Sequence, residues 1–170
     1  MLVPPHGGRL VDRQFEGPEA REIIDEVSEC RMLTLNAREK NDLEMIGNGA
    51  MSPLEGFMCG RDYRSVVDLM HLASGPVWSL PVVFSLKEGD PEVSPGEHVG
   101  LQDPEGTIWG DRRVEESFEA DLEAEADRTL GTTDISHPGV AYLNSLSGRY
   151  IGGKVRSIRR RETESFPNYR

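Results

Sequence analysis

Cysteine is nearly missing from this chain of 170 residues: only Cys30 and Cys59 occur, with no C-x-x-C spacing. That excludes a small disulfide-stapled scaffold and leaves two reduced, packed thiols as the reading. No apolar run approaches the length of a bilayer span, and the opening Met-Leu-Val-Pro-Pro lacks the basic segment and apolar core of a signal peptide. A cytoplasmic chain without membrane partners is the expectation. Phosphate-cradling loops are absent too: there is no GK[ST] and no G-x-G-x-x-G, and His6, His71, His98 and His137 form no H-x-x-H pair. Basic residues are short for most of the length. Residues 1–148 hold 12 Lys/Arg against 28 Asp/Glu, whereas residues 149–161 hold six basic residues and no acid. With a net charge of −11 the surface should repel nucleic acid, phospholipid headgroups and free nucleotides, and only the end of the chain is basic.

What remains is ordinary globular material, 36% hydrophobic and 29% charged, in a length that fits one domain. Its organising stretch is residues 42–58, DLEMIGNGAMSPLEGFM. Gly47, Asn48 and Gly49 allow a preceding helix to stop and reverse. Ser52, Pro53 and Glu55 read as an N-cap, a first-position proline and a capping-box acid, so a short helical turn is predicted there. Leu54, Phe57 and Met58 would then share its core face.

The other elements follow from local patterns. Pro4, Pro5, Gly7 and Gly8 make an extended start with a tight turn around His6, which reads as a structural hydrogen-bonder because it has no partner in sequence. Residues 18–29 carry Ala20, Ile23, Ile24 and Val27 at helical spacing. RMLTL at 31–35 alternates as a strand, and Asn36 caps a second helix through Leu43 and Ile46. Residues 62–72 predict a helix with Val66, Val67, Leu69 and Met70 inward, ended by Gly75-Pro76. Residues 77–86 are β-rich, with Pro81 implying a bulge or edge, and residues 90–96 form a polar loop. Residues 98–102 and 107–112 pair across the turn DPEG.

Residues 115–127 hold seven acids and no base. They lack the glycine and ligand offsets of a calcium loop and alternate with Phe118, Leu122 and alanines, so a solvated helical face is expected rather than a cation site. His137 precedes Pro138-Gly139 and should bond loop backbone before a short helix to Leu146. Residues 148–158 close the domain as a strand in which Gly152 and Gly153 allow close backbone approach. Arg156, Arg159, Arg160 and Arg161 follow as an anion patch.

Several of these stretches, taken together, resemble one family. PPHGGRL at 4–10, DLE at 42–44, NGAMSPLEGFM at 48–58, WSLPV at 78–82, GTTDISHPGV at 131–140 and YIGGKV at 150–155 are similar, in order, to motifs of the amino-terminal domain of the sulfate adenylyltransferases (ATP sulfurylases). Met51 stands where that family's pattern has an aromatic residue. The resemblance covers nearly the whole chain but only the family's first domain. It implies an α+β fold, a PUA-like twisted β-barrel decorated with helices, over residues 1–158, with residues 159–170, including FPNYR, as the start of a linker to a catalytic domain.

For the intact family the resemblance implies that ATP, with Mg2+, and sulfate give adenosine 5'-phosphosulfate and pyrophosphate. That chemistry needs cationic and backbone donors gathered around the phosphates. The resemblance places those groups in Q-T-R-N-P-x-H and GRDHAG-like segments of the second domain, and neither occurs here. No catalytic, cofactor-binding or metal-ligating residue is therefore assigned, and no cofactor is expected in this chain. The expected role is to buttress the catalytic domain, in cis or in trans, without activity alone. The alternative is a stand-alone PUA-like module binding RNA through residues 149–161, against which the acidic surface weighs, and a weaker third is a complete minimal enzyme.

Overall fold

Proline and acid placement start the first helix, and reciprocal capping starts the second. In this computed structural model, which describes residues 3–159, a single 3-10 turn at His6–Gly8 leads to β1 (Gln14–Phe15) and α1 (Gly17–Val27). Pro18 lies in the first turn of α1, and Ala20, Ile23 and Val27 form its buried stripe. After β2 (Arg31–Thr34), α2 (Ala37–Gly47) is set by a complete capping box: the Asn36 side chain accepts from the Glu39 N–H, and the Glu39 carboxylate accepts from the Asn36 N–H. Next come β3 (Gly56–Phe57), α3 (Gly60–Leu69), β4 (Phe84–Ser85), β5 (His98–Gln102), β6 (Ile108–Arg113) and β7 (Glu116–Glu119). The chain then runs through α4 (Leu122–Leu130) and α5 (Pro138–Leu143) into β8 (Arg149–Ile158).

The long strand β8 is the axis of the mixed eight-stranded sheet, whose main path runs β1-β8-β6-β5-β2. It pairs along both edges: with β6 and β7 antiparallel on one, and with β1 parallel and β3 and β4 antiparallel on the other. Such double engagement needs close backbone approach, and glycine supplies it. A Cβ on Gly56 would overlap the Gly153 carbonyl, and one on Gly152 would overlap the Met58–Cys59 backbone. The expected role of Gly152 and Gly153 is thus observed. β2 adds parallel to β5, and β5 pairs with β6 as predicted, with a bulge at Leu101/Gln102. The main core gathers the β8 residues Tyr150, Ile151 and Val155 with Leu43, Ile46, Phe57, Val66, Phe84 and Trp109, and α1 covers a smaller cluster with Ile158. No helix among the described residues is long and apolar enough to cross a membrane.

Four expectations need correction. Residues 52–58 form no helical turn. The Ser52 hydroxyl donates to the Gly49 carbonyl at 2.7 Å and accepts from the Val11 N–H at 2.9 Å, so it caps nothing. Glu55 is drawn instead to Lys154 and Arg9 at 2.7 and 3.2 Å. Leu54, Phe57 and Met58 are nevertheless buried. α3 stops at Leu69, because Met70 takes the left-handed conformation at φ 55°, and both side chains face outward rather than inward. Residues 77–86 contribute only β4 and an isolated bridge from Val77 to His71. Residues 115–127 divide into the strand β7 and the start of α4, and one of the seven acids, Glu125, is buried.

Candidate functional site

An exposed apolar segment stands out on the surface. Leu69 (68% exposed), Met70 (45%), Val77 (61%) and Leu80 (41%) fall between residues 69 and 80 and are four of the seven large apolar side chains exposed among the described residues. The His71–Val77 bridge and the Trp78 N–H, which donates to the Met70 carbonyl at 2.8 Å, fold the two halves of the segment together. His6 Nε2 donates to the Val77 carbonyl at 2.8 Å, and its ring lies 6.1 Å from that of Trp78. His6 therefore holds the amino-terminal turn onto the segment, the structural role its sequence context suggested. An adjoining groove of about 450 Å³ is lined by His6, Met51, Trp78, Leu80 and Pro81. Clustered apolar exposure of this kind marks a contact surface.

The basic end is less available than its composition implies. Arg149 donates to the carbonyls of Lys87 and Asp90, Lys154 pairs with Glu55, and Arg159 lies 3.8 Å from Glu16. Arg156 donates to Asp111 and, at 2.5 Å, to Glu26. Asp111 stands opposite Arg156 in the β6–β8 register, and this hydrogen bond raises the Arg156 pKa. The expected anion patch is thus corrected for Arg156 and Arg159, while Arg160, Arg161 and the 166–170 segment lie outside the described residues.

Three side-chain constellations were not visible in linear spacing. His98 Nε2 lies 2.6 Å from Asp111 Oδ2, and its Nδ1 lies 3.9 Å from Cys30 Sγ. Glu26, His98 and Asp111 bring ligand-type atoms within 4.8 Å of one another, but Arg156 bridges the two carboxylates, so the cation held there is a guanidinium. In the core, Tyr63 and Tyr150 both donate to Glu125 Oε2, at 2.9 and 3.3 Å. Burial pushes the Glu125 carboxyl above its usual range. Arg112, 1% exposed, lies over the Phe57 and Phe84 rings at 5.2 and 5.7 Å. The predicted 98–102/107–112 hairpin was the one available signal for the first constellation. His98 pairs with Arg113 and Gly100 with Asp111, so His98 and Asp111 are diagonal neighbours, but the bulge hides that register from sequence.

The remaining histidines bond nearby backbone. His71 Nδ1 donates to the Leu69 carbonyl, and His137 caps α5 by accepting from the Gly139 N–H at 3.2 Å. Cys30 and Cys59 are free thiols, as expected. A groove of about 700 Å³ places Arg38 and Lys87 with Glu88, and Arg38 is taken up by the Tyr142 ring at 4.9 Å.

A family model for the PUA-like domain matches residues 3–160. The sulfate adenylyltransferase of Symbiobacterium thermophilum is 48% identical over 154 residues, covering 90% of this chain and 39% of that protein. The sulfate adenylyltransferase of Synechococcus sp. (strain JA-3-3Ab) is 39% identical over 168 residues, covering 98% and 43%. The chain therefore spans about two fifths of the length of these curated relatives. Among solved structures, the hexameric APS kinase of Thiobacillus denitrificans shares the fold, with a TM-score of 0.68 at 22% identity over 92% of this chain and 27% of that one.

Proposed function

This chain belongs to the PUA-like domain family, and from that premise we propose that it acts as the amino-terminal domain of a sulfate adenylyltransferase. Residues 1–158 would form the domain and residues 159–170 the start of the connection onward. Its work is mechanical: it buttresses a catalytic domain in which ATP and sulfate become adenosine 5'-phosphosulfate and pyrophosphate. The observation that carries this reading is the 48% identity to a sulfate adenylyltransferase that extends well beyond the matched region. Two structural features support it. The apolar segment 69–80 offers a face for the rest of such an enzyme to cover. The cations of 149–159 are engaged within the fold. On this reading ATP and Mg2+ are used by the other part of the enzyme.

The purified chain, given ATP, sulfate and Mg2+, should release no pyrophosphate; sustained release would overturn the proposal. Mixed with the separately expressed remainder of the Symbiobacterium relative, it should form a complex by analytical ultracentrifugation, and Leu69→Asp with Val77→Asp should weaken that complex at least about tenfold.

A further inference from the structure

Cys30 lies where α1 has ended and β2 begins, and the parallel register of β2 on β5, with Arg31 opposite Val99, sets it beside His98. The His98 imidazole stands between a thiol and a carboxylate: Sγ is 3.9 Å from Nδ1, and Asp111 Oδ2 is 2.6 Å from Nε2. A neutral imidazole carries one ring proton, and the short contact with the buried Asp111 carboxylate assigns it to Nε2. Nδ1 then offers its lone pair to the sulfur. Around the ring, the Glu26 and Asp111 carboxylates face one guanidinium, Arg156. The neighbouring Arg31 is spent on Glu97 at 3.0 Å. The Cys30 thiol also donates to the Glu26 carbonyl at 3.3 Å, at the carboxyl-terminal end of α1.

Cys59 provides the contrast. It occupies the N-cap position of α3, where a helix end would favour a thiolate. Burial, with Glu115 and Glu116 beside it, instead pushes that thiol up to about 11. Both cysteines are half-buried, so exposure does not separate them; only Cys30 has an imidazole beside it.

We propose that Cys30, His98 and Asp111 form a thiol-modification site that reacts with low-molecular-weight disulfides. The Cys30 proton passes to His98 Nδ1, and the thiolate attacks one sulfur of the disulfide. The Cys30–S bond forms as the original S–S bond breaks, and the departing thiolate leaves as a thiol with the proton from His98. Cys30 is oxidised and the departing half of the disulfide is reduced, so electrons and protons balance without another reagent. Asp111 is the positioning residue that fixes the imidazole tautomer.

The test uses the full chain and 2,2'-dithiodipyridine, following thiopyridone release. In Cys59→Ala, where only Cys30 remains, reaction near neutral pH should be at least about tenfold faster than in Cys30→Ala. His98→Gln in the Cys59→Ala background should slow it about tenfold and replace a flat pH profile with the steady rise of an ordinary thiol near pH ~8.5. Equal rates for the two cysteines, or a Cys30 rate indifferent to His98→Gln, would overturn the proposal. Should His98→Gln fail to fold, the profile of Cys59→Ala itself decides. A plateau below pH ~8 supports the site, and an uninterrupted rise of about tenfold per unit through that range rejects it.

Discussion

A guanidinium taken out of water needs acceptors, and Arg112 has few. Its Nη2 reaches the Gly153 carbonyl only at 3.4 Å, while Nε and Nη1 have no hydrogen-bond partner among the described residues. The faces of Phe57 and Phe84 return part of the lost hydration through their π charge. Burial still lowers the Arg112 pKa to about 10, so the group stays charged at neutral pH. A buried charge without full compensation is replaceable by an apolar side chain of similar length. Arg112→Met should therefore raise the urea midpoint, by about 1–3 kcal/mol of stability, whereas Arg112→Ala, which leaves a cavity among the same rings, should lower stability by about 3 kcal/mol. Equal losses in both variants would show instead that the cation itself holds the core together.

At the scale of elements, Glu39 joins two pieces of backbone. One carboxylate oxygen completes the capping box of α2 by accepting from the Asn36 N–H at 2.8 Å, and the other accepts from the Ser85 N–H of β4 at 2.9 Å. Asn36→Ala removes one cap contact and should cost about 1 kcal/mol. Glu39→Ala removes the reciprocal contact and strands the buried Ser85 N–H, so it should cost a further ~1–3 kcal/mol in the same denaturation experiment. The helical half of this joint was legible in sequence, because Asn36 and the apolar spacing of Leu43 and Ile46 are local signals. Its partner in β4 was not, since Ser85 lies 46 residues from Glu39. The same division explains the other outcomes. α1, α2, β2 and the β5–β6 hairpin are written in short-range periodicity and turns. The misread stretch at 52–58 obeys a hydroxyl bonded across 41 residues, to Val11. β7 was hidden because Glu116–Glu119 is only four residues long and runs into a helix of similar composition. Of the surface clusters, Cys30 and His98 lie 68 positions apart and meet only through the β2–β5 register. At the end of α3, the left-handed Met70 breaks the helical spacing that placed Leu69 and Met70 inward, and both are exposed.

For the molecule as a whole, the carboxyls behind the net charge of −11 include two groups that respond to pH in opposite ways. Hydrogen bonding to Lys154 holds Glu55 below its usual range, so this group favours the fold at pH values where it is ionised. Burial pushes Glu39, Asp42 and Glu125 upward. For a raised acid the folded state keeps a proton that the unfolded chain has already released. Its contribution to stability is therefore fully present below the ordinary value of 4.5 for Glu125 and is lost as pH rises through the raised folded value. Glu125 is the clearest place to see this, because both of its tyrosine donors can serve a neutral amide oxygen equally well. Glu125→Gln should match the parent in thermal unfolding near pH ~4, where both carry an uncharged group, and become progressively more stable than the parent toward pH ~8. A constant gap between the two melting curves across that range would mean that burial does not perturb this carboxyl. A gap that closes with rising pH would mean that the two tyrosine hydroxyls favour the ionised form more than burial opposes it.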